Sequence, residues 1–227
     1  KVRDLREGLR DTPKNHRAFL NQYLTLTRCD LFFADKAVIV EGTSERILLP
    51  GMIRKLEMSN AGLPKLTTQY LTMMEVGGAY AHIFFNLLDF IEVPCLVITD
   101  LDSVVEAGGK ACPVHLGNAT SNACLNEWFA DGDRSPKALL AKSDAEKRKG
   151  LKRIAFQVPE REGGPCGRTF EDAFMLANTD LFEIKTEEPN KMEKQANELA
   201  AKIKKSEFAL KHAIESTDWT PPRYIAE

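Results

Sequence analysis

Two acidic clusters stand out by residue type and spacing. Glu41 and Glu45 lie in Lys36-Ala-Val-Ile-Val-Glu41-Gly-Thr-Ser-Glu45, and Asp100 and Asp102 in Pro94-Cys-Leu-Val-Ile-Thr-Asp100-Leu-Asp102-Ser103. Each cluster follows an apolar run of strand-like length. In an open α/β sheet, ligands bind in the crevice beyond the carboxyl ends of the strands. Carboxylates crowded at such a point need a compensating charge, and a divalent cation is the usual one. A lone Glu41 after four apolar residues and before a glycine is a costly place for a charge without a task. Glu45 has two readings, one facing the crevice and one complementing a helix dipole. An extended Asp-x-Asp directs both carboxylates to one side, because strand side chains alternate with period two. Turn or N-cap chemistry is the blander reading of Asp100 and Asp102, and the pairing with Glu41 favours the metal site.

Apolar runs about 36–41, 71–78, 94–99 and 153–159 predict four strands, separated by helical patterns over 45–57 and 79–91. Thr43 and Ser44 are natural N-caps for the first of these helices, and Pro50 predicts a kink or a division after its first turn. Strands alternating with helices predict an α/β fold with a mostly parallel sheet flanked by helices. Residues 104–150 interrupt the pattern, with a helix near 121–129. After Pro159 the pattern turns helical, at 169–177 and in a helix or helix pair over 190–216. The division expected is a helical lead-in (1–30), an α/β domain (31–160, with the insertion 104–150) and an appended helical C-terminal region (161–227) packing on it.

A net charge of −2 and 43% apolar residues describe an ordinary globular chain, so nucleic-acid binding would come from local patches. No apolar run approaches the roughly 20 residues of a membrane span. The five scattered cysteines, with no C-x-x-C pair, predict reduced thiols and a cytoplasmic setting. The four histidines form no zinc pattern. The N-terminal residues have neither an apolar signal segment nor an initiator Met, and read as part of a longer protein.

The Glu after the first strand and the Asp-x-Asp after the third resemble the Toprim (Rossmann-like) fold of topoisomerases, primases and a group of nucleases. The likeness extends through Phe32-Phe33-Ala34, Glu75-Val-Gly-Gly78, Thr99 to Ser103, Thr120-Ser-Asn122, Arg168-Thr-Phe-Glu171 and Lys205-Ser-Glu-Phe-Ala209. Together these resemble the C-terminal nuclease region of the OLD (overcoming lysogenization defect) family over about residues 28–215.

That resemblance implies a metal-dependent DNA endonuclease using two Mg²⁺ or Mn²⁺ ions, ligated by Glu41, Glu45, Asp100, Asp102 and Glu171, with Ser103 adding an oxygen or holding a water. Two such ions activate water and stabilise the leaving oxygen in an in-line displacement. Oxygen-rich octahedral coordination suits these ions over zinc. Glu41, Asp100, Asp102 and Lys205 carry the catalytic roles. Lys205 alone would read as a solvated lysine; the motif makes it the ammonium that offsets phosphate charge, with Lys204 beside it as the alternative assignment.

DNA is the implied partner, with Lys204, Arg168, Lys149 and Lys152 as contacts. The basic stretch over 137–153 reads equally as a solvated face, since Asp144 and Glu146 interrupt it. The family also carries an N-terminal ABC-type ATPase. No G-x-x-x-x-G-K-[ST] phosphate loop occurs here, so ATP is not expected to bind, and any oligomer would form through that other domain. The rival readings are a primase- or topoisomerase-like activity and a catalytically silent, metal-binding regulatory module. Gly77 and Gly78 fit backbone approach to a phosphate or close packing, and Thr120, Ser121 and Asn122 fit a helix cap.

Overall fold

The computed structural model describes residues 4–27, 29–60, 62, 64–77 and 80–227. The chain enters through α1 (Leu5–Gly8), α2 (Lys14–Thr27) and a 3₁₀ turn, Cys29–Phe32. Strand β1 (Lys36–Val40) leads into α3 (Thr43–Ser59) and then β2 (Leu71–Glu75). A 3₁₀ turn, Tyr80–Phe84, runs into α4 (Phe85–Ile91) and on to β3 (Cys95–Ile98). Next come β4 (Ser103–Val104), β5 (Ala119–Thr120), α5 (Ala123–Trp128), α6 (Pro136–Leu140), β6 (Arg148–Lys149) and β7 (Lys152–Ala155). The remainder is helical: α7 (Phe170–Ala177), α8 (Pro189–Ala200), α9 (Lys205–Leu210) with a π turn at Lys211–Glu215, and α10 (Arg223–Ala226).

The central sheet has the order β2-β1-β3-β7-β6. Its first four strands are parallel, and β6 joins β7 antiparallel. It is the mostly parallel α/β sheet that the alternating pattern predicts. Because β2 and β3 flank β1 on opposite sides, the topology reverses between β1 and β3. The crevice at that switch point, beyond the carboxyl ends of the strands, is where such sheets bind ligands.

Strand alternation distributes the core over both faces. Ala37, Ile39, Cys95, Val97 and Ile154 pack against α4 and α5 through Leu87, Leu88, Leu125 and Trp128. Val38, Val40 and Ile98 face Leu48, Leu49 and Met52 of α3 and the aromatic residues of the C-terminal helices. Near-continuous apolar strands are what a sheet covered on both faces requires. A smaller antiparallel hairpin, β4 with β5, stands over the carboxyl end of β3.

Several elements depart from the sequence pattern. Pro50 does not divide α3, which runs unbroken over Thr43–Ser59. Burial of Leu48, Leu49 and Met52 on either side of the proline outweighs the one backbone hydrogen bond it removes. The second strand stops at Glu75, with Gly77 at a left-handed φ of 64°. Gly78, Ala79 and Arg28 lie outside the described residues. The apolar segment before Ile91 is a 3₁₀ turn and then a short α-helix. Cys95, Cys112, Cys124 and Cys166 are buried free thiols. Among the described residues no helix is long and apolar enough to cross a membrane.

Phe174 knits the second core together. Its ring centroid lies 5.5 Å from Phe208, 5.4 Å from Trp219 and 5.3 Å from His212. Phe174→Ala is expected to lower unfolding free energy by about 3–5 kcal/mol, read from the urea midpoint. A loss below about 1 kcal/mol would show that α7 and α9 are not held by this cluster.

Candidate active site

The carboxyl ends of β1 and β3 each release a carboxylate into the switch-point crevice. Glu41 follows Val40 directly and is buried. Its Oε1 accepts from Asn122 Nδ2 at 2.8 Å, from the Asp100 backbone N–H at 3.3 Å, and from the Thr99 hydroxyl. Gly42, in extended backbone, is the N-cap of α3 and supplies no side-chain bond. The hydroxyls expected to cap are used elsewhere. Thr43 Oγ1 donates to Glu75 Oε1 at 2.8 Å, and Ser44 Oγ to Glu171 Oε1 at 2.7 Å. Glu45, in the first turn of α3, is buried and lines the same crevice as Glu41.

Asp100 is buried, its Oδ1 accepting from Gln157 Nε2 at 2.6 Å. The Asp-x-Asp is not an extended strand. β3 ends at Ile98, and Asp102 has a left-handed φ of 44°. Leu101 drops into the core between the two aspartates, so it is the turn, rather than strand alternation, that returns Asp102 to the crevice. Asp102 Oδ1 pairs with an Arg168 terminal nitrogen at 2.8 Å, and Arg168 Nε also donates to the Ser103 carbonyl at 3.1 Å.

Helix α7 supplies Glu171. Thr169 and Asp172 form a capping box there, and Gly167 allows the loop to press on the helix. A Cβ at Gly167 would sit 2.5 Å from the Ala173 nitrogen. Glu171 is buried, bonded to Ser44 through Oε1 and to Lys205 Nζ at 3.0 Å through Oε2. Lys205 opens α9, with its side chain 58% exposed. Lys204 is 77% exposed and pairs with Glu207 instead. Of the two candidate lysines, Lys205 is the one facing the carboxylates.

The result is a cleft of about 750 Å³ lined by Glu41, Glu45, Asp100, Asp102 and Glu171, with Arg168 and Lys205 on its walls. Glu75, paired with Arg46 Nε at 2.5 Å, also lines it. The other expected residues lie elsewhere. Ser103 is buried in the hairpin, its hydroxyl donating to the Cys112 carbonyl at 2.5 Å, and it is not in the cleft lining. Lys152 begins β7 and Lys149 pairs with it from β6, at the end of the sheet away from the carboxylates. The Lys149 ammonium donates to the Trp128 carbonyl, and Lys152 is buried against Asp89. Arg148 and Arg153 pair with Asp144, and Lys142 with Glu146. Four of the basic residues of this stretch are thus paired with Asp89, Asp144 or Glu146.

Gln157 was not singled out in the sequence, and Thr99 and Asn122 stood only inside the likeness motifs, Asn122 also as a cap, without a role at the site. A signal existed for Gln157, an uncharged amide flanked by Phe156 and Val158 at the end of a strand run. Glu75 carried no signal beyond its place in the motif.

Burial pushes the Glu45 carboxyl up to about 7, with Glu171 and Glu41 adding to the rise and Lys205 opposing it. Burial likewise raises Glu41, although Thr99 and Asn122 offset part of the effect. It raises Asp100 well above the carboxylate range, with Glu45, Glu41, Asp102 and Glu171 contributing. Burial works to lower the Lys205 ammonium, yet Glu171, Asp100 and Glu45 together hold its pKa above the ordinary value. Six carboxylates, Glu75 included, thus share one cleft with two cationic side chains. Among the described residues no three His, Cys, Asp or Glu side chains already stand together as the ligands of one ion. Glu41, Asp100, Asp102 and Glu171 are instead each turned to protein donors. The donor set itself is all oxygen, anionic and short of countercharge, which fits hard divalent cations.

Residues 32–102 match the family model described as the TOPRIM domain of overcoming lysogenization defect protein-like proteins. The endonuclease GajA of Bacillus cereus (strain HuB5-5) is 27% identical over 160 residues, 70% of this chain and 22% of that protein. The chain therefore spans about a fifth of the length of this relative. The C-terminal region of the Burkholderia pseudomallei OLD protein is a solved structure with a TM-score of 0.47 and 19% identity, aligned over 85% of this chain and 94% of that one.

Proton linkage follows from the raised carboxyls. Folded Glu45, near 7 against an ordinary 4.5, holds a proton that the unfolded chain releases. Its contribution to stability is complete below pH 4.5 and disappears as pH rises through about 7. In EDTA the melting temperature is expected to fall over that interval, and Glu45→Gln is expected to flatten the fall. A melting temperature that rises from pH 5 to 7, unchanged in the variant, would contradict the burial of these charges.

Proposed function

We propose that this chain, whose residues 32–102 are an OLD-like Toprim domain, is the catalytic region of a divalent-metal-dependent DNA endonuclease. One observation carries the reading. Glu41, Glu45, Asp100, Asp102 and Glu171, distant in sequence, converge on a single cleft at the sheet's switch point. Similarity to an endonuclease over 70% of the chain supports the same class.

Glu41, Asp100 and Glu45 would hold one or two Mg²⁺ or Mn²⁺ ions, with Asp102 and Glu171 completing their surroundings. Bound there, the ions supply Lewis-acid activation of water and neutralisation of phosphate charge. The chain's own residues orient and balance. Glu171 holds the Lys205 ammonium at the cleft wall, where it can offset charge on a phosphodiester oxygen. Arg168 fixes Asp102 and the β4 backbone rather than standing free for phosphate.

The two tyrosines bonded to residues of the site favour hydrolysis over a covalent tyrosyl route. Tyr224, beneath the site, is buried with its hydroxyl near Gln157, and burial raises its pKa well above the ordinary value. Tyr23 donates to the Glu75 carbonyl. Neither is poised as a nucleophile.

Supercoiled plasmid incubated with the chain should be nicked in Mg²⁺ or Mn²⁺ and remain intact in EDTA. Asp100→Asn, which keeps the side-chain shape, should abolish nicking without lowering the melting temperature; retained cleavage would refute the role of Asp100. Lys205→Ala should slow nicking by about 10²–10³-fold while Mn²⁺ binding persists, and an unchanged rate would make Lys205 a surface residue. Linking-number change without nicks would favour a topoisomerase instead.

A further inference from the structure

We propose that two buried carboxamides, Gln157 and Asn122, are positioning residues that aim Asp100 and Glu41 at the cations. The inference rests on the metal-site reading above. Both amides are fully buried. Gln157 Oε1 accepts the Leu101 backbone N–H at 2.7 Å. With its oxygen so identified, Nε2 must face Asp100 Oδ1 at 2.6 Å, and the Tyr224 hydroxyl at 3.4 Å. Asn122 repeats the arrangement at Glu41. Its Oδ1 accepts the Leu125 N–H at 3.1 Å as the N-cap of α5. Nδ2 then faces Glu41 Oε1 at 2.8 Å and Thr99 Oγ1 at 2.9 Å. Flipping either amide would strand a buried backbone N–H and turn an oxygen toward a carboxylate, so neither orientation is free.

Each carboxamide engages one carboxylate oxygen. No protein donor among the described residues bonds Oε2 of Glu41 or Oδ2 of Asp100. Those oxygens remain for an ion. The donors are also neutral, and this separates the two pairs of ligands. Asp102 and Glu171 are steadied by Arg168 and Lys205, which offset their charge. Glu41 and Asp100 are steadied by amides, which orient a carboxylate while leaving it a full negative charge when ionised. Outer contacts of this kind commonly contribute about 10–100-fold in metal affinity.

The test measures Mn²⁺ binding to the EDTA-stripped chain by calorimetry, alongside its metal-free melting temperature. Asn122→Ser retains a capping oxygen but cannot extend an N–H to Glu41, and Gln157→Met removes the donor at similar length. Each is expected to weaken Mn²⁺ binding by about 10–100-fold, with the metal-free melting temperature of Asn122→Ser near wild type. A variant that melts lower yet binds Mn²⁺ as wild type does would make its amide purely structural and overturn the proposal, leaving the metal site intact. A wild-type chain that binds no Mn²⁺ would overturn both readings. Should Gln157→Met fail to fold, the side-chain amide NMR signals of the wild type serve instead. Those of Gln157 and Asn122 should exchange slowly with solvent and shift on Mg²⁺ titration; signals that stay in place overturn the proposal.

Discussion

Glu41, Glu45, Asp100 and Glu171 are nearly removed from solvent and share one cleft. Each ionised carboxyl there loses hydration and meets like charge, so the local fold holds only where donors or protons answer it. That demand explains why so many polar groups of the chain are spent here. The hydroxyls of Thr99 and Ser44, the amides of Asn122 and Gln157, the Asp100 backbone N–H, Arg168 and Lys205 all point inward to carboxylate oxygens. Countercharge remains short of the carboxylates present, the condition that the proposed cation site requires.

The donors come from every layer of the molecule. β1 and β3 release Glu41 and Asp100 at the point where the strand order reverses. The hairpin and α5 bring Asn122, and the segment after β7 brings Gln157. The aromatic cluster around Phe174 fixes α7 and α9, and with them Glu171 and Lys205. Apolar packing far from the carboxylates thus sets their spacing.

The basic stretch near β6 and β7 illustrates the opposite case. Its lysines and arginines are close in sequence and suggest a phosphate track, yet each described ion pair there is satisfied locally by Asp89, Asp144 or Glu146. Parallel pairing of β7 with β3 also puts Lys152 beside Cys95, at the end of the sheet away from Asp100. This cationic density thus lies apart from the carboxylate cleft.

The sequence by itself determined the α/β sheet, the strands that carry Glu41 and Asp100, and the identity of the carboxylates. Those features are local: an apolar run of strand length, a glycine, and an acid after each run. It also marked Glu171 and Lys205, though only through likeness to a family. Tertiary structure alone decided that Asp102 returns by a left-handed turn, that Thr43 and Ser44 leave the cap for Glu75 and Glu171, and that Ser103 stays in the hairpin. It alone placed Gln157 against Asp100, 57 residues away. Hydrogen-bond partners distant in sequence are chosen by which donors the packed helices and strands bring within about 3 Å, and residue order carries no record of that distance.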